Sequence, residues 1–460
     1  MSVPLSEKTP QKNDTGDGAM MTKKKLLSYL ILISLTLFWS LSAFAETEAQ
    51  LISLEEAYRS AIFRSETIAI ARENLIQSED EVKRTRSFLF PNLKADLDYL
   101  RRPRALRSGP FLLRSESQTS FDLTLSQPLY SGGRAEATYR NAKLGQKGER
   151  LRLDLTQEDL LFEIAQAYYT ALKNKNNVLI EEKEVERLSA HRRSAEKQLE
   201  VGEVTKTALL RAEAELSNAQ ANLIRANNAV MEAKDQLALL ARIKGSYTLK
   251  NPASISFLEH SESALIEHSH KNRLELKEKK IQIDQALEGI DFAKGSFLPT
   301  LSLDLQYRWL KQDPSSSFLI SNDRLAILKF EMPLFEGGIH TAEMAQARSR
   351  LRKSQLEKKR QQDEIASRVR RAKRDLNSLT SELKHLEAQV RFAREAFSLA
   401  SRQFEVGLGT NIEVLDANTA LLDAERKHSN TIYDREIAIL QLKKETGMFR
   451  PLEAGLKRKE

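Results

Sequence analysis

Four short stretches of the chain alternate between polar and apolar positions, the two-residue period of a strand with one oily and one wet face. Leu93, Ala95, Leu97 and Tyr99 alternate with Asn92, Lys94, Asp96 and Asp98, and Phe121, Leu123 and Leu125 with Asp122, Thr124 and Ser126. Leu301, Leu303, Leu305, Tyr307 and Trp309 alternate with Thr300, Ser302, Asp304, Gln306 and Arg308, and Leu328, Phe330 and Met332 with Lys329 and Glu331. Strands are predicted at about 91–102, 117–130, 299–310 and 323–335. Loops around Pro103 and Pro314, then Gly132-Gly133 and Gly337-Gly338, stop them and turn the chain into helices.

The period then changes. No proline interrupts Arg134 to Leu199 or Ile339 to Phe404, so each reads as a helix of about 66 residues, roughly 100 Å long at 1.5 Å per residue. Ile365, Val369, Ala372, Leu376, Leu379, Leu383, Leu386, Val390, Ala393, Phe397, Ala400 and Phe404 keep a 4-3 spacing, the heptad seam of a left-handed coiled coil. An alanine-rich seam runs from Ala212 to Leu240. From Val414 to Leu442 a further helix is apolar on two faces, as a stave with a neighbour on each side would be.

These elements occur twice in the same order. "SFLFPNLKADLDY" (Ser87 to Tyr99) recurs as "GSFLPTLSLDLQY" (Gly295 to Tyr307), "SQPLYSGGR" (Ser126 to Arg134) as "EMPLFEGGI" (Glu331 to Ile339), and "QLEVGEVTKTALLRA" (Gln198 to Ala212) as "QFEVGLGTNIEVLDA" (Gln403 to Ala417). The offsets are 208, 205 and 205 residues, so the chain is an internal tandem. Its parts are a leader at 1–45, a first repeat at 46–250 turning near 202, a second at 251–450 turning near 407, and a short basic tail at 451–460. Each repeat reads helix, strand, loop, strand, long helix, Val-Gly break, helix.

The leader carries a secretory signal. Lys23, Lys24 and Lys25 precede an apolar run from Leu26 to Leu41, followed by the small-x-small site Ala43-Phe44-Ala45, with Met20 or Met21 as alternative starts. No later segment approaches the ~20 apolar residues of a spanning helix, so a membrane crossing has to be made as a barrel. Cysteine is absent, which excludes disulfides, thiol chemistry and a lipidated N-terminus. The net charge of +8, on a chain that is 30% charged, does not indicate nucleic acid. No nucleotide-binding, metalloprotease or serine-hydrolase motif is present, and neither an enzyme nor a cofactor is expected.

Four amphipathic strands do not close a barrel in one chain, and lipid does not tolerate free strand edges, so oligomerisation is the simplest resolution. "LISLEEAYRSAI" (Leu51 to Ile62), the strand openings at Pro91 and Pro299, "QPLYSGG", "MPLFEGG", "NRLELKEKKIQI" (Asn272 to Ile283) and the two Val-Gly turns with "VLDA" (Val414 to Ala417) together resemble the TolC family of outer membrane efflux proteins.

The resemblance implies a mostly α protein with membrane β structure. A homotrimer gives four strands per protomer to a 12-stranded outer membrane barrel, continued by a long antiparallel coiled-coil α-barrel. It implies a passive duct in outer membrane lipid that docks to a periplasmic adaptor (membrane fusion) protein and an inner membrane transporter of RND or ABC type. The rival reading is a soluble periplasmic coiled-coil scaffold.

By the same resemblance Val201, Gly202, Thr205, Val406, Gly407 and Thr410 form the tip turns and adaptor contacts, with both threonines at N-cap positions. Glu413 and Asp416, three apart on one helical face, match the family's acidic periplasmic gate, where the first copy has Ala208 and Arg211. Phe404 stands where relatives can carry tyrosine and Gly409 where they can carry arginine, which puts a hydrogen-bonded latch of that type in doubt.

Other clusters have plainer readings. Arg101, Arg102, Arg104, Arg107 and Arg114 crowd the first hairpin loop, read as solvated, with lipopolysaccharide phosphates as the alternative partner. Glu267, His268 and His270 have no further candidate ligand converging on them, so no metal site is expected. "RVRRAKRD" (Arg368 to Asp375) reads as a solvated coiled-coil face.

Overall fold

The computed structural model describes residues 50–253, 255 and 260–450; the signal sequence and the basic tail lie outside the described residues. Among the described residues a small unit contains Gln50, Leu51 and Gly245–Thr248, and in it Gln50 N–H donates to the Ser246 carbonyl at 3.2 Å. All that follows belongs to the large unit, Ile52–Lys244 and Leu249 onward.

The large unit begins with α1 (Leu54–Arg64) and α2 (Glu66–Ser87), and its second half with α5 (Glu262–Asn272) and α6 (Leu274–Gly295). The sequence reads one helix at each place, but Ser65 (ψ 126°) and Arg273 (ψ 127°) are extended and break it in two. Arg273 explains its own break. Its guanidinium is drawn into the interior to donate to the Lys444 carbonyl at 2.8 Å and to Glu445 Oε2 at 3.0 Å, and it pairs with Glu275.

Strands β1 (Asn92–Arg101), β4 (Ser117–Tyr130), β5 (Thr300–Asp313) and β6 (Asn322–Glu331) form one antiparallel sheet in the order β1-β4-β5-β6. A further hairpin, β2 (Leu106–Ser108) with β3 (Phe111–Arg114), stands in the stretch read as loop.

The register sorts the two faces. Rows Leu93–Leu125–Leu305–Ala326 and Leu97–Phe121–Trp309 cross one face, while Lys94–Thr124–Gln306 and Asp96–Asp122–Arg308–Asp323 cross the other. In the second of those polar rows Arg308 pairs with Asp122. The apolar face is uncovered in the single chain: Leu97 is 72% exposed, and Leu93, Leu328 and Phe330 are exposed as well.

From the sheet the chain turns into α3 (Arg134–Glu200) and α7 (Ile339–Glu405), each of 67 residues, which return as α4 (Lys206–Ala241) and α8 (Asn411–Glu445). Gly133 and Gly338 are the left-handed N-caps of α3 and α7, and Gly132 and Gly337 precede them, also with positive φ. Gly132 has a second reason to be glycine, since a Cβ there would lie 2.5 Å from the Gly295 carbonyl at the end of α6.

The heptad seam is the packed face of α7: each residue of the seam is buried or half-buried, with Ile365, Val369 and Phe404 among the most enclosed. One core gathers Leu265, Leu276, Ile365, Val369, Ala372 and Leu442 from α5 to α8. A second, Ala195, Ala212, Phe404 and Val414, joins all four long helices beside their turns, with Val204, Leu209, Phe397 and Ala400 packed on it.

Candidate functional site at the helical turns

Both α3 and α7 stop for the same local reason. Gly202 (φ +82°) and Gly407 (φ +74°) adopt the left-handed conformation in which a Cβ is strained. The next amide reaches back to close the helix end: Glu203 N–H donates to the Gln198 carbonyl at 2.8 Å and Leu408 N–H to the Gln403 carbonyl at 2.8 Å. Around these turns Val201, Val406 (68% exposed), Leu408 (83%) and Ile412 project apolar side chains into solvent.

The helices that follow start differently. Thr410 Oγ1 accepts from Glu413 N–H at 3.3 Å while Glu413 Oε2 accepts from Thr410 N–H at 2.9 Å, a reciprocal capping box. Thr205 occupies the same position before α4, yet its side chain makes no cap bond, which corrects the reading of both threonines as side-chain caps. The third helical residue there is Ala208, which has no carboxylate to return the bond.

Glu413 and Asp416 are both exposed on α8, but their carboxylates are in different situations. Glu413 is tied into the capping box, whereas Asp416 lines an open groove of ≈ 590 Å³ together with Arg211, Glu215, Asp423 and Arg426. The groove therefore brings together Arg211 and Asp416, the residues that occupy equivalent positions in the two copies.

The principal feature not legible in the sequence is a polar ladder between α3 and α8. Near the turn Gln198 Nε2 also reaches the end of α7, donating to the Phe404 carbonyl at 2.5 Å, and the ladder to α8 begins where His191 Nε2 lies 2.6 Å from Asn411 Oδ1. Further along, Asn418 Nδ2 donates to Glu184 Oε1 at 2.5 Å, Arg187 bridges Glu184 (2.8 Å) and Glu425 (3.1 Å), and Arg426 Nε donates to Glu181 at 2.6 Å. Lys173 pairs with Asp434 at 2.9 Å. Burial opposes ionisation of Glu425, but hydrogen bonds from Arg394 and Arg187 outweigh it and hold the carboxyl below its usual range. Burial lowers the pKa of His191, with the Asn411 contact acting against it.

The profile of the outer membrane efflux protein family matches residues 57–241 and 265–448, one stretch in each half of the tandem. The chain belongs to the outer membrane efflux protein family. It is an outer membrane duct for efflux or secretion, and the soluble scaffold is not favoured. Outer membrane protein TolC of Vibrio cholerae is 26% identical over 393 residues, covering 82% of this chain and 88% of that protein. The alkaline protease secretion protein AprF of Pseudomonas aeruginosa is 25% identical over 343 residues, covering 71% and 69%. The solved structure of CusC matches with TM-score 0.77 at 17% identity, covering 87% of this chain and 93% of that one; the outer-membrane channel OprN matches with 0.74 at 16%, covering 86% and 89%. Those two likenesses establish the fold.

Within this efflux-protein fold, Phe404 is a core residue, 2% exposed, with its ring 4.9 Å from that of His191. Gly409 has little room for any side chain, because a Cβ would lie 3.0 Å from Phe404 N and 3.1 Å from Gln403 Cβ. His268 and His270 bond the Thr446 and Gln362 carbonyls at 2.8 and 3.3 Å. The run from Arg368 is not simply a solvated face: Arg368 pairs with Glu445 and Arg370 with Glu262, each at 3.2 Å, so it clasps α5 and α8.

Proposed function

We propose that three copies of this efflux-family chain close a 12-stranded barrel through the outer membrane, and that α3, α4, α7 and α8 continue it as an α-helical barrel through the periplasm. The observation that carries this reading is the sheet: β1 and β6 are edges without a partner strand among the described residues, and its apolar face is uncovered. Lipid covers such a face, and pairing of β6 with β1 of the next copy removes both edges.

The assembly is a passive conduit without a catalytic step, and the repeats at 46–250 and 251–450 each contribute two strands and one helical hairpin. The exposed residues Val201, Val406 and Leu408 at the turns are the docking surface for a periplasmic adaptor, which couples the duct to an inner membrane transporter of RND or ABC type. Glu413 and Asp416 form the acidic gate, six carboxylates in three copies, a ring that favours cations. Because Glu413 is committed to its cap, Asp416 carries the larger share.

Recovery as a heat-modifiable trimer from the outer membrane fraction is the expected result; a carbonate-soluble monomer refutes the barrel. In planar bilayers Asp416→Ala is expected to reduce cation selectivity and divalent-ion block more than Glu413→Gln. The gate assignment fails if the Glu413→Ala/Asp416→Ala double variant leaves both unchanged.

A further inference from the structure

The apolar face of the sheet changes character along the strands. Its middle row, Leu93–Leu125–Leu305–Ala326, is aliphatic, and the rows toward the hairpin loops bring Tyr307, with Arg324 beside it at the β6 edge, then Phe121 and Trp309, then Tyr99. Beyond the aromatic residues the same face becomes basic. Lys311 follows Trp309 by two positions and Arg101 follows Tyr99 by two, so strand alternation places both on this face, about 7 Å further along.

The rows Tyr99–Thr119–Lys311 and Arg101–Ser117–Asp313 are adjacent on this face. Arg104, Arg107 and Arg114 extend the basic surface into and beside the β2–β3 hairpin. Phe111 of that hairpin stacks on Phe318 of the other loop at 6.3 Å, tying the two loops together. Glu116 and Asp313 are the acids in segments 101–117 and 310–321. Arg101, Arg104, Arg107, Arg114 and Lys311 are unpaired: among the described residues none of them makes an ion pair. Elsewhere in this chain basic residues are commonly matched to acids, as the ladder between α3 and α8 shows.

We propose that this rim binds the phosphate groups of an anionic outer-leaflet lipid, with Arg101 and Lys311 as the principal contacts and the hairpin arginines as a second tier. The proposal rests on reading the apolar face as lipid-facing. Aliphatic, aromatic and basic rows in that order match the hydrocarbon, interfacial and headgroup depths of a bilayer leaflet. Guanidinium groups form charge-assisted, often bidentate bonds to phosphate oxygens, and a cation two residues past an aromatic belt meets phosphate rather than acyl chain.

Trp309, in the row next to Lys311, supplies the reporter. The full exported protein is reconstituted in phosphatidylcholine vesicles, and energy transfer from Trp309 to dansyl-labelled lipid A is titrated. Saturable transfer to the phosphorylated lipid, weak transfer to the dephosphorylated one, and about 30-fold weaker binding by Arg101→Gln/Lys311→Gln are expected, equivalent to about 1 kcal/mol per basic residue. Lys353→Gln, an exposed change on α7, is expected to bind as wild type does.

Equal transfer to both lipids by the wild-type protein overturns the proposal without reference to any variant. So does unchanged binding by a double variant that still forms the heat-modifiable oligomer. If instead that variant alters anion permeability while lipid binding is unaffected, the charges serve the pore mouth and the proposal fails. Where the wild-type chain is a heat-modifiable outer membrane trimer and these outcomes follow, only the lipid site is lost. Where it is no such trimer, the lipid-facing reading falls and the site falls with it.

Discussion

Replacing Thr410 with alanine removes one of the two bonds in the capping box and leaves the amide of Glu413 without its side-chain acceptor at 3.3 Å. The other bond, from the amide of residue 410 to the Glu413 carboxylate at 2.9 Å, uses the backbone and is still available in the variant. Loss of a threonine cap costs about 1 kcal/mol, and since 1.4 kcal/mol is tenfold in an equilibrium, fraying of the first turn of α8 rises about fivefold. Thr205→Ala removes no side-chain cap bond, so the start of α4 changes little.

Hydrogen exchange read by mass spectrometry on the assembled protein reports this local opening directly. Peptides covering 405–420 are expected to exchange about fivefold faster in Thr410→Ala, and peptides covering 200–215 to be unaltered in Thr205→Ala. Glu413→Gln preserves the box, because an amide oxygen serves as acceptor, whereas Glu413→Ala in the Thr410→Ala background removes the remaining bond and opens the first turn further. Equal acceleration at both turns, or none at residues 405–420, refutes the argument that the repeats begin their return helices by different means.

Four further outcomes are expected. Phe404→Ala opens a cavity between the helical hairpins and costs about 3–5 kcal/mol in urea unfolding, while Phe404→Leu recovers most of it; a loss under about 1 kcal/mol means that this core is not closely packed. Alanine at Gly202 or Gly407 costs about 1–2 kcal/mol through backbone strain, since open space surrounds both positions, and asparagine costs less than valine; thermal melts rank them.

Burial holds His191 below 6.5, so the unfolded chain takes the proton more readily; stability is full above 6.5 and falls as pH drops through it, a dependence that His191→Gln removes. Burial pushes Glu158 up to about 7 with the opposite sign: its contribution is present below 4.5 and lost as pH rises through 7. Glu158→Gln is therefore more stable than wild type at pH 8 and similar to it at pH 4, as chemical unfolding at each pH tests.

Much of this architecture is local chemistry and so was legible. A 4-3 apolar spacing from Ile365 to Phe404 specifies a packed helix wherever its partner lies, and proline-free length together with Gly407 specifies where it ends. Alternation from Leu93 to Tyr99 specifies an amphipathic strand, and the family resemblance carried by the duplicated motifs named the fold class. The β2–β3 hairpin escaped because its strands are short and three arginines within 101–104 read as loop. The fourth predicted strand runs on to 335 because Met332 and Phe335 are apolar, yet β6 ends at Glu331 before Pro333, which has no amide hydrogen for a ladder.

By itself the sequence determined the two-faced strands, the length of the helices, the two glycine turns and the tandem that relates them. The tandem is read from self-similarity about 205 residues apart; the other features depend on neighbours within a few residues, through dihedral preference and side-chain period. Tertiary structure alone decided that β4 pairs with β5 across the two repeats, that His191 meets Asn411 and Arg187 meets Glu425, and that Arg273 breaks a helix to reach Glu445. It also decided that Glu413 is held by its own helix cap while Asp416 is left free in a groove with Arg211. Periodicity tells a residue which face it occupies; which partner lies opposite is set by how distant segments meet, and one chain's pattern does not encode that choice locally.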